Sequence, residues 1–260
     1  MTDSTSSLPP LRQPSWIDAI DPDGILQRVT RRVRKTLPPL VVIAPAADDA
    51  TPPLLADRAL RTVLTHVPFE SVLDVGSGAG RHADHFEAAG KQVTEIDFGR
   101  SIYYQRRSEN RLAILADYYE HTFDQPFDLV WASHVLEHQP NPNAFLRKVH
   151  RDTRENGFVC ITVPPMKHNI VGGHLSLWNA GMLLYHMVFA GFDCRDAMIN
   201  RYGYNISLLV RKRSIELPQL HYDSGDIDRL AAYFPAGCGE RFHGNLRRLN
   251  WPTERLSAAS

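Results

Sequence analysis

The chain has 260 residues, 43% of them hydrophobic and 22% charged, enough apolar content to bury the core of one α/β domain without a second. Its 29 basic and 29 acidic residues balance to zero, which argues against a protein that grips nucleic acid mainly through phosphate contacts and leaves only a local basic groove open. Cys160, Cys194 and Cys238 are odd in number and scattered, so neither a disulfide framework nor a zinc knuckle is indicated and a reducing compartment is expected.

Residues 1–15 are polar and rich in Pro and Ser, and disorder is expected there. They lack the apolar stretch of a secretory signal, and no run in the chain reaches membrane-spanning length. A cytoplasmic location without a membrane span follows as the expectation. Residues 16–69 read as a helical extension. Ile25, Leu26, Val29 and Val33 fall at helical spacing while Arg28, Arg31, Arg32, Arg34 and Lys35 crowd the remaining surface, the pattern of a solvated helix packed on a core or of a contact with an anionic partner. Residues 38–53 are a Pro/Ala/Asp-rich connection, and residues 54–66 read as a second helix.

The segment from Ser71 to Gly99 carries the strongest pattern. Val72, Leu73 and Val75 suit a strand buried on both faces. Gly76, Ser77, Gly78, Ala79 and Gly80 then turn the backbone into a helix over residues 82–89, which Gly90 stops. A second strand over 92–96 ends at Asp97, about 20 positions beyond the first glycine, where a carboxylate can accept hydrogen bonds from both ribose hydroxyls of an adenosine-containing cofactor. A dinucleotide fingerprint needs a third glycine at position 81, where this chain has Arg81. Asp74 adds negative charge beside the turn, which suits a sulfonium or ammonium better than a diphosphate.

Further along, residues 101–107 read as helical, 112–115 as a third strand, 127–132 as a fourth, 141–151 as a helix and 158–163 as a fifth strand closed by Pro164 and Pro165. An apolar helix over 178–190 precedes a hairpin of residues 192–199 and 205–210. This alternation predicts a doubly wound, Rossmann-like α/β sheet, with the ligand crevice where strands one and four diverge. From Ser214 to Ser260 the chain reads as loops around a short helix at 227–233. Arg241, Phe242, His243, Arg247, Arg248 and Trp251 there would suit a packed tail, a substrate-site wall or a homodimer contact.

Over residues 70–213 the sequence resembles the class I S-adenosylmethionine-dependent methyltransferases. LDVGSGAG matches the cofactor loop of that family, VTEIDFG its second strand with the ribose-binding acid, LADYYE the segment at the adenine, FDLVWASHVLEH the fourth strand and following turn, and GFVCITVPP the fifth. The resemblance implies a seven-stranded, mostly parallel sheet with an antiparallel final hairpin. It also implies that S-adenosylmethionine, leaving as S-adenosylhomocysteine, is held by Asp74, Gly76, Ser77, Gly78, Gly80, Asp97, Phe98, Asp117, Tyr118 and Ser133. The helix over 54–66 would lid the cofactor.

The loop after the fifth strand, residues 166–179, faces the substrate in that family. Here it holds His168, His174, Trp178 and Asn179 around Gly172 and Gly173. An imidazole that titrates near neutrality can take a proton from a hydroxyl, so His174, His168 and His134 are the candidates for a general base. The expected reaction is O-methylation of a small polar metabolite or glycan. N- or C-methylation by the same fold is an alternative, as are an NAD-dependent oxidoreductase and a catalytically dead scaffold.

One motif points elsewhere. His134, Glu137 and His138 spell H-x-x-E-H, formally the pattern of an inverted zinc peptidase. Such a site needs both histidines on one long helix and a further ligand downstream. Pro140 and Pro142 cut short any helix that begins here, so Glu137 and His138 are expected to orient the turn, and metal independence is the expectation. His82 and His85 on the first helix are likewise read as packing and solvent-facing residues.

Overall fold

The computed structural model describes residues 54–252, which lie in one compact unit. The expected disorder of residues 1–15 and the basic helix of residues 16–35 lie outside the described residues. Five α-helices and eight strands follow in the order α1 (Asp57–His66), β1 (Ser71–Val75), α2 (Arg81–Ala88), β2 (Gln92–Asp97), β3 (Ile114–Leu115), β4 (Phe127–Ser133), α3 (Pro142–Asp152), β5 (Thr153–Val163), α4 (Ala180–Phe189), β6 (Met198–Tyr202), β7 (Asn205–Arg211), α5 (Asp226–Arg229) and β8 (Arg248–Leu249).

The strands form a single sheet in the order β3-β2-β1-β4-β5-β7-β6-β8. The first five strands pair in parallel, and β7, β6 and β8 are added antiparallel. The sheet is therefore doubly wound with an antiparallel hairpin, as expected, but it has eight strands rather than seven. The eighth is a two-residue strand that Arg248 and Leu249 add to the free edge of β6. Two residues carry no periodicity, so nothing in the local sequence announces this strand.

The strand sequences are apolar because both faces are covered. One face, with Val72, Leu129, Trp131, Cys160 and Leu209, packs against α1 and Phe86 of α2. The other, with Leu73, Val130, Val159 and Ile161, packs against α3 and α4. Asn141 caps α3 by accepting from the Ala144 N–H, with Pro142 at the first helical position, and Asn179 caps α4 by accepting from Met182.

Three boundaries differ from the sequence reading. Residues 101–107 yield only a 3-10 turn at Tyr104–Arg106, because the side chains of Arg107 and Arg111 are drawn inward to Glu95. β5 begins at Thr153, five residues before the expected start, and its register against β4 shifts near Phe127. Asn156, at φ +66°, sits in that irregular stretch. At the N-terminal end of the hairpin, residues 192–197 form a loop ahead of β6, anchored by the buried Phe192 and Cys194.

Candidate active site

β1 and β4 are neighbours at the point where strand order reverses, so their carboxyl ends open a crevice. The glycine turn lies on one side of it. Gly76, Gly78 and Gly80 have φ of +68°, +54° and +80°, conformations that glycine adopts without steric cost. Gly76 also has a neighbour where a side chain would go: an added Cβ would stand 2.4 Å from Val135 Cγ2.

Asp97, 7% exposed at the end of β2, ties the crevice together. Its Oδ2 accepts from the Gly78 N–H at 2.9 Å and its Oδ1 from the Gly99 N–H at 2.7 Å. A carboxylate has about four acceptor positions, so two remain for a pair of hydroxyls. Ser77 is buried in the turn, and Phe98 is half exposed at its rim.

Asp74 is 1% exposed and its Oδ2 has no hydrogen-bond partner. Burial, followed by the charge of Glu95, raises its pKa well above the ordinary carboxylate range. A cationic or N–H-bearing ligand would supply the donor that this oxygen lacks. Open acceptor positions on Asp97, an orphaned carboxylate oxygen on Asp74 and a turn without side chains fit an adenosyl sulfonium with an amino-acid tail.

The rim of this cradle was not legible in the sequence. Arg107 donates to the Gly78 carbonyl at 2.9 Å, to the Ser77 hydroxyl and to Glu95 at 2.6 Å; Arg111 donates to the other Glu95 oxygen at 2.6 Å. The signal available was strand alternation, which puts Glu95 on the same face of β2 as Asp97. Of the adenine-side candidates, Asp117 is exposed and turns its own chain by accepting from the Tyr119 N–H at 2.9 Å. Tyr118 is buried against Phe145, with the Lys148 ammonium 4.5 Å from its ring centre. α1 sends its buried residues Ala59, Leu60 and Val63 into the cluster around Trp131, and the Leu55 carbonyl just before it lies 2.9 Å from His82 Nε2 on the helix that follows the glycine turn.

On the other side of the crevice, β4 ends at Ser133, whose buried hydroxyl has no partner. His134 follows at φ +57°, an unusual conformation for a side-chain-bearing residue and one that clusters at functional sites. Its ring stacks on Tyr204 with centres 5.8 Å apart. Nε2 lies 3.0 Å from Asn205 Oδ1, and Nδ1 lies 3.3 Å from Glu137 Oε1. The 3-10 turn Leu136–His138 places Glu137 at 0% exposure, and neither of its carboxylate oxygens accepts a hydrogen bond.

His138 turns its Nδ1 to the Gly173 carbonyl at 2.8 Å and its Nε2 to Glu137 Oε1 at 3.8 Å. The loop after β5 brings His174 against His138, ring centres 4.9 Å apart and edge to face. The backbone N–H groups of Leu175 and Ser176 both bond to the Glu137 carbonyl, which pins that loop to the turn. Burial lowers the pKa of His174 below the ordinary imidazole value. His134 and His174 thus meet around one carboxylate, whereas His168 stays exposed outside the cluster. In this turn the Glu137 peptide carbonyl and the His138 ring hold the loop, while the Glu137 carboxylate accepts no hydrogen bond.

The sheet order and glycine turn define a Rossmann-like class I fold. Comparison with known proteins narrows this. Residues 73–161 match a family model described as a methyltransferase domain. The chain is 32% identical over 107 residues to malonyl-[acyl-carrier protein] O-methyltransferase of Salmonella typhimurium, covering 40% of this chain and 43% of that protein. It is 31% identical over 101 residues to a ubiquinone biosynthesis O-methyltransferase of Pseudomonas paraeruginosa, covering 36% and 44%. The chain thus spans less than half the length of these curated relatives.

Among solved structures, the 1,6-didemethyltoxoflavin-N1-methyltransferase of Burkholderia thailandensis superposes with a TM-score of 0.51 at 19% identity, over 79% of this chain and 93% of that one. That likeness shows the fold. Residues 73–161 are thus similar to a methyltransferase domain, on the sheet expected from the resemblance to the class I S-adenosylmethionine-dependent methyltransferases.

Proposed function

We propose that the protein transfers a methyl group from S-adenosylmethionine to an oxygen of a small hydroxylated acceptor. The observation that carries this reading is the cradle in which Asp97 closes back on Gly78 while keeping two acceptor positions open. When bound, S-adenosylmethionine supplies an activated methyl on a positively charged sulfur. Asp97 would hold the ribose hydroxyls, and Gly76 to Gly80 would let the backbone approach the ligand. Asp74 would face its cationic end, with Ser133 at the boundary between the cofactor and acceptor sides.

The acceptor side is the cluster of His134, Glu137, His138 and His174, and its place is to receive the acceptor hydroxyl and take away its proton. Holding the oxygen in line with the methyl supplies much of the acceleration. The loop that carries His174 also exposes Met166, Ile170, Val171, Leu175 and Leu177. An apolar rim of this kind favours a hydroxyl carried on an apolar body over a glycan. The names of the relatives, malonyl-[acyl-carrier protein] O-methyltransferase and ubiquinone biosynthesis O-methyltransferase, give two starting points for a screen.

Asp97→Ala tests the reading. Loss of charge-assisted hydrogen bonds to two hydroxyls is expected to cost about 1.5–3 kcal/mol, at least tenfold in affinity for S-adenosylhomocysteine by calorimetry. Unchanged affinity in a folded variant would remove Asp97 from the site. His174→Ala is expected to spare cofactor binding and to lower single-turnover methylation by about 10²–10⁴, with His168→Ala close to wild type.

A further inference from the structure

Two histidines of the acceptor cluster aim a ring nitrogen at one buried carboxylate. Asn205 fixes the first of them. Its Oδ1 accepts the Ala56 N–H at 3.0 Å and its Nδ2 donates to the Tyr202 carbonyl at 3.3 Å, so the backbone fixes which end of the amide is oxygen. His134 Nε2, 3.0 Å from that same Oδ1, must therefore be the donor. Its other nitrogen, Nδ1, points at Glu137 Oε1 from 3.3 Å.

His138 repeats the arrangement. Its Nδ1 faces the Gly173 carbonyl, an acceptor only, so Nδ1 donates there and Nε2 faces Glu137 Oε1 from 3.8 Å. Glu137 is fully buried, and both its oxygens lack donors. Among the described residues no Lys or Arg is paired with it. A carboxylate so placed is costly unless a positive charge sits against it. Histidines whose far N–H is donated to a carbonyl are in the state that metal ligation requires, with the tautomer and ring direction already set.

The long-range piece is His174. Ligand atoms of Glu137, His138 and His174 all lie within 4.8 Å of one another, the one such set among the described residues. A small rotation of each side chain brings three donors to the ~2.0–2.2 Å at which zinc binds imidazole and carboxylate.

We propose that Glu137, His138 and His174 hold a divalent first-row transition-metal cation of the zinc type, with His134 beside it as a further nitrogen. Two neutral imidazoles and one carboxylate give a borderline nitrogen and oxygen donor set, which suits such a cation better than calcium or magnesium. His138 is 43% exposed, so one side of the site is open to solvent and leaves a position for an acceptor oxygen. A hydroxyl that enters that position loses its proton at lower pH: its O–H bond breaks, the proton leaves to solvent in place of transfer to His174, which the cation then occupies, and the oxygen keeps the electron pair that attacks the methyl. This role rests on the methyl-transfer reading, whereas cation binding is measured without it.

The test uses the full chain freed of metal by chelation and dialysis, then titrated with Zn²⁺ by calorimetry and with Co²⁺ by visible absorption. One equivalent is expected to bind, with cobalt giving d–d bands of a site that contains nitrogen ligands. His138→Ala and His174→Ala are each expected to weaken binding at least tenfold. Both lie at the protein surface, so they test the site even where the buried Glu137→Gln variant does not fold, and S-adenosylhomocysteine affinity reports that the fold is intact. Uptake below one equivalent, or uptake that neither histidine variant changes, overturns the proposal. If S-adenosylhomocysteine fails to bind while the cation binds, the methyl-transfer reading falls and the cation site stands.

Discussion

Position 76 admits no side chain. An alanine there would take φ +68° and place its methyl 2.4 Å from Val135 Cγ2, so backbone strain and a clash act together. Gly76→Ala is expected to lose about 1–3 kcal/mol, read as a lower urea midpoint at unchanged slope. An unchanged midpoint would show that Val135 moves aside at no cost. Val135 belongs to the turn that carries Glu137, so the cofactor turn and the histidine cluster share a packing contact. The same glycines and Asp97 were plain in the sequence, because close approach of backbone to ligand and a carboxylate at a strand end are local requirements. The meeting of Glu137 and His138 with His174 was not. The motif H-x-x-E-H is visible, but its third partner lies 36 positions further on (174 − 138) and arrives only through the loop after β5.

At the scale of elements, the helices that were most legible are those with both a buried face and a cap. α4 has Leu183, Leu184, Met187 and Val188 fully buried, and Asn179 at its start accepts from Met182 at 2.8 Å. Asn179→Ala is expected to destabilise the protein by about 1 kcal/mol, a shift of a few degrees in thermal midpoint, while leaving S-adenosylhomocysteine affinity intact. A loss of cofactor affinity instead would mean that α4 reaches the cradle. Residues 101–107 misled because local helical propensity competes there with Glu95. A buried carboxylate that pairs two arginines fixes the chain in a 3-10 turn, and no propensity scale contains that interaction. β8 misled for a simpler reason: it is a strand only because β6 offers it an edge.

For the described residues, the mostly parallel order of the sheet and its two covered faces follow from alternating apolar runs and turns, and the structure confirms them. Buried histidines add a property that composition does not reveal. His82, whose Nε2 contacts the Leu55 carbonyl at 2.9 Å beneath α1, is held by burial at a pKa of about 4. His150 is also lowered to about 4, chiefly by burial and then by Lys212. Both pKa values lie below the unfolded value of 6.5, so below that pH the unfolded chain takes up more protons than the folded one. Stability is therefore complete above pH 6.5 and falls as pH drops toward 4. His82 alone accounts for about 3 kcal/mol across that window. The partly exposed His150 adds less after solvent screening. Thermal melts at stepped pH check this, and His82→Gln is expected to flatten the decline; an equally steep decline in that variant would place its cause in other groups.

The central claim is that the crevice at β1 and β4 binds an adenosyl sulfonium cofactor and not a dinucleotide. Isothermal titration of the purified chain with S-adenosylhomocysteine and, separately, with NAD tests it most directly. The account predicts one equivalent of S-adenosylhomocysteine bound, lost at least tenfold in Asp97→Ala, and no saturable heat with NAD. Saturable NAD binding together with no uptake of S-adenosylhomocysteine would contradict it.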